Sequence, residues 1–240
     1  FSQRAYDQII HDVALQDLGV VICLDRSGLV GEDGATHHGS FDMAAYRSIP
    51  GCIIAAPRNE TELKNMMYTA SLTPHGPFII RYPRGYGEGA EWREAEFGEI
   101  PVGKAEKMLD GEEVAIIAAG PVVNRAYDAA MEYREKTGHN PAVYNIRYIK
   151  PVDTATLDMI FGRYGKIITI EDGCIAGGLY GIISEYAASA GKGTSIKAIG
   201  IPDRFIGQGT QTELRKECGL DKDTIYRMIA GEMGNFPKKG

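Results

Sequence analysis

An α/β fold of two doubly wound, mainly parallel-sheet units is what this 240-residue sequence predicts. Three observations carry the prediction. Short uninterrupted apolar runs, such as Val20-Val21-Ile22-Cys23-Leu24 and Cys52-Ile53-Ile54-Ala55-Ala56, read as strands buried on both faces. These runs alternate with helix-length segments, the order of a parallel sheet. The alternation weakens into Gly, Glu, Trp92 and Pro101 between residues 85 and 107 and then starts afresh, so a linker there and two domains, 1–100 and 101–240, are expected.

In chain order, residues 3–18 carry apolar side chains at Ala5, Ile9, Ile10, Val13 and Ala14 and predict an amphipathic helix. The sequence enters this stretch directly at Phe1, without an initiator Met or a targeting peptide, as expected of a chain cut inside a domain. Strand 20–24 leads into the glycine-rich loop 27–39, too polar for regular structure. Strand 52–56, helix 60–71 and strand 78–82 complete the first unit. The second runs strand 113–118, a Gly120-Pro121 break suited to a helix start, helix 122–137, strand 142–146, helix 154–163, strand 166–170, helix 181–190, strand 196–199 and closing helices 210–218 and 222–232.

Composition bounds the function. No apolar run approaches the roughly 18 residues of a membrane-spanning helix. With Lys plus Arg at 26 against Asp plus Glu at 32, the net charge of -6 argues against a nucleic-acid partner. Four dispersed cysteines form no C-x-x-C pair, so neither a zinc site nor a disulfide framework is expected, and a reducing cytoplasm fits.

Two loops hold the chemistry. Asp25-Arg26-Ser27-Gly28 and Gly31-Glu32-Asp33-Gly34-Ala35-Thr36-His37-His38-Gly39 leave the carboxyl end of a strand, where open α/β sheets place ligands. Arginine suits phosphate or carboxylate through its planar, permanently charged fork, and histidine moves protons near neutral pH. The bland alternative is a surface ion pair for Arg26 and helix capping by His37 and His38. Adjacent histidines rarely converge on one ion, so no metal site is expected at Asp33, His37 and His38. The second loop, Arg81-Tyr82-Pro83-Arg84-Gly85, is a stiff turn in which Arg84 is the better anion ligand and Arg81 reads equally as a structural salt bridge. Glu171-Asp172-Gly173 with Gly177-Gly178-Leu179-Tyr180-Gly181 lacks the G-x-G-x-x-G spacing and reads as close packing or a domain contact. The turn 200–205 is likewise expected to be structural.

Together with Phe1-Ser2-Gln3-Arg4-Ala5-Tyr6-Asp7-Gln8 and Gly200-Ile201-Pro202-Asp203-Arg204-Phe205-Ile206, these loops resemble the 1-deoxy-D-xylulose-5-phosphate synthase family, transketolase-type enzymes, over nearly the whole chain. The resemblance implies the carboxyl-terminal part of such an enzyme: a pyrimidine-binding domain lacking its amino-terminal part and a transketolase C-terminal domain. It also implies a transferase using thiamine diphosphate and Mg2+ that joins pyruvate, with loss of CO2, to D-glyceraldehyde 3-phosphate, the first step of a non-mevalonate isoprenoid route. A homodimer follows from it, as does location in a bacterial cytoplasm or a plant plastid. Residue by residue, the aromatic ring against the cofactor's aminopyrimidine falls on Phe1, a cofactor-binding arginine on Arg4, the phosphate-binding arginines on Arg26 and Arg84, and the active-site aspartate and histidine on Asp33 and His37. His38 stands where some members carry Gln and receives no catalytic role. The family's cofactor-activating glutamate, magnesium–diphosphate motif and first-domain histidines match nothing here and are expected upstream of position 1; the fragment alone is expected to be inactive. Two other readings stay open, the beta subunit of a 2-oxo acid dehydrogenase E1 component and a non-catalytic dimerisation module.

Overall fold

The computed structural model describes residues 2–89 and 91–234. The expected first helix is a rod of changing pitch: a 3-10 turn over Ser2–Ala5, an α-turn α1 over Tyr6–Gln8 and a π-helical stretch over Ile9–Ala14. Ile9 alone is buried in it, and Leu15 just beyond is 75% exposed.

Strands β1 (Val20–Leu24), β2 (Ile53–Ala55) and β3 (Pro77–Arg81) run parallel in the order β1-β3-β2, with α2 (Asp42–Tyr46) and α3 (Glu60–Ser71) in the crossovers. Asn59 caps α3, its side chain accepting the Glu62 N–H at 2.9 Å. Every residue of β3 is buried, as a central strand requires. β1 corrects an expectation: it is the edge strand, and Val20 and Val21 are 37% and 41% exposed. An apolar run shows that a strand's faces are suited to burial, but not whether both its edges are paired.

The second sheet takes β4 (Glu106–Leu109), β5 (Val114–Ala119) and β6 (Ala142–Asn145), followed after a short excursion by β8 (Lys166–Cys174) and β9 (Ser195–Ile201), in the order β4-β6-β5-β8-β9. All pairs are parallel except β4 with β6. The excursion is β7 (Tyr148–Lys150), which crosses to the first sheet and pairs antiparallel with β2, Ala55 opposite Tyr148. Helices α4 (Val122–Thr137), α5 (Thr154–Arg163), α6 (Leu179–Ser189), α7 (Gln211–Glu217) and α8 (Lys222–Met233) cover this sheet. The α4 helix stops at Gly138, whose φ of +80° needs a residue without a Cβ.

One apolar core runs through both sheets, joining Met43, Ile54 and Ile79 of the first half to Ile117, Tyr144, Leu157 and Ile183 of the second. Polar ties reinforce it. Buried Glu62 accepts the Arg58 N–H at 2.9 Å, the Asn145 amide at 3.0 Å and Arg147 Nε–H at 2.8 Å. Of residues 85–107, expected to be a linker, the described ones up to 99 are mostly exposed, and the segment is tied to the body at Ile100. Ile100 is buried, its N–H donates to Thr69 Oγ1 at 2.9 Å, and its carbonyl accepts from Tyr148 Oη at 2.8 Å. So large an apolar interface holds the two halves in one arrangement.

Candidate active site

Parallel pairing of β1 with β3 sets Leu24 beside Arg81, so the loops 25–41 and 82–88 leave adjacent strands at the same end of the sheet. The pairing continues past the strands: Tyr82 N–H donates to Leu24 O and Ser27 N–H to Tyr82 O, both at 3.0 Å. Beside them opens a cleft of about 560 Å³, whose polar lining includes Arg26, Ser27, His37, His38 and Asp42. Tyr6, Phe41 and Tyr46 also face it, and the Tyr6 and Tyr46 rings lie 5.8 Å apart.

The sequence-predicted residues separate into groups. Arg26 and His37 line the cleft. Arg84 and Asp33 form an ion pair that is not part of its lining, and Arg26 pairs with Asp25. All four side chains are more than a third exposed, so these pairs contribute little and an incoming dianion can replace either aspartate. His37 Nδ1 lies 2.9 Å from Thr36 Oγ1. Arg4 is exposed on the 3-10 turn; its neighbours Gln3 and Tyr6, not Arg4, are in the lining. Phe1 lies outside the described residues.

His38 is a brace. Its Nδ1 accepts the Val30 N–H at 3.1 Å, which places the proton on Nε2, and Nε2 donates to Gly207 O at 3.1 Å. The loop is thereby pinned to the second half of the chain. Gln211 does the same for the other loop, donating from Nε2 to Arg84 O at 2.9 Å.

Beneath these loops lies a charge network in which the sequence indicated Arg81, as a structural salt bridge, but not its partner Asp42. Arg81, 1% exposed, donates from Nε to Asp42 Oδ2 at 2.8 Å and from Nη1 to Asp172 Oδ1 at 2.6 Å. Burial alone would favour loss of its proton, but the two carboxylates outweigh that and raise its pKa. Asp42 also lines the cleft, so Arg81 ties the cleft wall to β8. The adjacent Glu171 is fully buried, accepting Leu179 N–H at 2.8 Å and Tyr180 N–H at 2.9 Å at the start of α6. Burial nevertheless pushes its carboxyl up to about 8, the two donors opposing the shift. Glu171-Asp172-Gly173, expected to follow a strand ending at residue 170, thus lies within β8 and makes packing and domain contacts. Asp42 carried no signal because it lies in a short helix that no periodicity announced.

The comparisons with known proteins agree with this architecture. Residues 1–88 match the family model described as the transketolase pyrimidine binding domain, and residues 103–225 the transketolase C-terminal domain. The chain is 49% identical over 237 residues to the 1-deoxy-D-xylulose-5-phosphate synthase of Bacteroides thetaiotaomicron, aligning 99% of this chain with 36% of that protein. It is 46% identical to the synthase of Phocaeicola vulgatus, over 95% of this chain and 36% of that one. It therefore spans about a third of the length of these relatives. Among solved structures, a split-gene transketolase described as an inactive beta4 tetramer superposes with a TM-score of 0.80 at 23% identity, covering 97% of this chain and 73% of that one. A transketolase mutant from Pichia stipitis gives 0.67 at 19%, covering 91% and 31%. With matching models over both halves and the same fold in these structures, the chain belongs to the transketolase family.

Proposed function

We propose that this chain is the carboxyl-terminal part of a 1-deoxy-D-xylulose-5-phosphate synthase, joining pyruvate, with loss of CO2, to D-glyceraldehyde 3-phosphate. The observation that carries the proposal is the side-by-side exit of the Arg26 and Arg84 loops beside an aromatic-lined cleft. The relatives' names support it. In this reading the domain division is 1–100 and 101–240, and the complete enzyme is a cytoplasmic homodimer.

The cleft suits one part of thiamine diphosphate. Tyr6, backed by Tyr46, and Phe41 offer aromatic surface for a flat ring, to which Phe1 and Arg4 are assigned as further cofactor contacts. Among the described residues no three His, Cys, Asp or Glu side chains stand together as a metal site. The diphosphate and its Mg2+ are therefore assigned to the length the relatives carry beyond this chain. When bound, the cofactor supplies the electron sink through which pyruvate loses CO2.

The chain's own residues bind and orient the acceptor. Arg26 and Arg84 exchange their aspartates for the phosphate of the triose, a charge-assisted and bidentate contact. Asp33, released from Arg84, orients the acceptor, and His37 moves a proton to or from its oxygen from the cleft wall. In the enzyme completed with the relatives' amino-terminal length, Arg84→Ala should raise the KM for D-glyceraldehyde 3-phosphate by about 30-fold or more, the ~2 kcal/mol or more lost when one partner of a desolvated charge pair is truncated. The KM for pyruvate should stay within about twofold. Equal effects on both substrates would remove the clamp.

A further inference from the structure

Three features of the cleft converge on Ser27. Arg26 holds a φ of +64°, a left-handed conformation that few residues other than glycine adopt. Its surroundings impose that conformation. Gly28 and Gly39 exchange backbone N–H···O bonds at 2.9 Å, and a Cβ on Gly39 would overlap the Arg26 carbonyl. On the other side, a Cβ on Gly28 would come within 2.9 Å of Asp172 O. Backbone strain over-determined in this way is concentrated at ligand sites.

The same turn leaves two buried polar atoms, Arg26 Nε and Ser27 Oγ, without a hydrogen-bond partner among the described residues. Ser27 is only 2% exposed. An unpaired buried donor costs stability, and native proteins carry few of them. Both residues line the cleft with His37. Chemically the two atoms are alike in the respect that counts: guanidinium Nε–H can only donate, and a serine hydroxyl can donate. Unspent donors on two consecutive residues, one of them part of a permanently charged guanidinium, are complementary to an oxyanion.

We propose that Ser27 is a further substrate-binding residue of this cleft, its hydroxyl donating a hydrogen bond to a phosphoryl oxygen held by Arg26. The inference rests on the reading of Arg26 as a phosphate ligand. Serine at this position deepens the phosphate seat by one neutral donor, so it sharpens discrimination between phosphorylated and unphosphorylated acceptors.

The completed enzyme provides the test, with D-glyceraldehyde 3-phosphate and unphosphorylated D-glyceraldehyde as paired acceptors. Ser27→Ala should raise the KM for the phosphorylated acceptor about 10- to 100-fold, as loss of one hydrogen bond to a charged group does. D-glyceraldehyde and pyruvate should be unaffected. In thermal unfolding without ligand, the same substitution should leave the Tm unchanged or raise it, because no protein hydrogen bond is lost. An unchanged KM for the phosphorylated acceptor overturns the proposal, as does a lowered Tm with equal effects on both acceptors. Arg26→Gln separates the two readings. If it weakens the phosphorylated acceptor while Ser27→Ala does not, only the Ser27 assignment fails; if neither does, the phosphate site itself is misplaced.

Discussion

Arg81 and Arg84 stand three residues apart in one loop sequence and have opposite surroundings. The first is buried between Asp42 and Asp172, and the second sits exposed against Asp33. Position separates them, as the sequence already indicated: Arg81 ends β3 in a structural salt bridge, and Arg84 lies in the loop beyond the proline. Arg81→Met should destabilise the chain by ~3–5 kcal/mol in denaturant unfolding, because it leaves two buried carboxylates without their cation. Adding Asp42→Asn and Asp172→Asn should recover most of that loss, since the neutral set needs no counter-charge. If the single substitution costs less than ~1 kcal/mol, the network does not hold the halves together. Glu171 gives a pH signature. Its folded-state pKa lies above the ordinary 4.5, so its contribution is fully present below that value and is lost as pH rises through about 8. Glu171→Gln should therefore flatten the dependence of Tm on pH between those limits. An unaltered profile would show that the two α6 N–H donors keep the carboxylate ionised throughout.

Among the elements, long and strongly patterned ones were legible. β5 is buried at all six positions, and α4 spans residues 122–137, as its period and the Gly120-Pro121 break indicate. The missed elements are short or antiparallel: α2, β4 and β7. Tyr148-Ile149-Lys150 is too brief for periodicity, and its role is set by a partner nearly a hundred residues away, β2. The linker 85–107 has ties that its composition does not show. Its polar composition suggests a free linker, whereas its order comes from α3, which offers Asn65 and Thr69 to Gly98 and Ile100. This dependence is measurable through the α3 cap. Asn59→Ala removes the acceptor for the Glu62 N–H and should cost ~1 kcal/mol in unfolding free energy. Because Glu62 in that first turn also holds Asn145 and Arg147, amide exchange should quicken around residues 145–147 as well as in α3. Exchange that changes in α3 alone would mean that the helix start and the second sheet are energetically separate.

At the scale of the molecule, the proposed site draws on both halves. Loops of the first sheet carry Arg26, Asp33, His37 and Arg84, while Asp172, Gly207 and Gln211 of the second half hold those loops in place. These braces were not legible in the sequence, since a carbonyl or an amide acting as a support has no motif. The first sheet also keeps an edge: β1 pairs on one side with β3, and Leu15, Leu18, Val20 and Val21 are exposed nearby. Such an edge invites pairing with further polypeptide. We therefore expect the 240-residue chain by itself, supplied with thiamine diphosphate and Mg2+, to consume no pyruvate. Its cleft offers a ring surface, Arg26 and His37, with Arg84 on the neighbouring loop, but no group of three His, Cys, Asp or Glu for a metal among the described residues. Val21→Lys should reduce self-association in sedimentation without lowering the Tm, because the side chain is exposed and a lysine on an edge opposes strand addition. Supplying the amino-terminal length of the relatives as a separate chain should restore pyruvate consumption with the parent, and less with Val21→Lys, whose edge that chain would have to cover. Turnover by the 240-residue chain alone would place the complete catalytic set within these residues. Full restoration by Val21→Lys would show that the partner segment docks elsewhere than on β1.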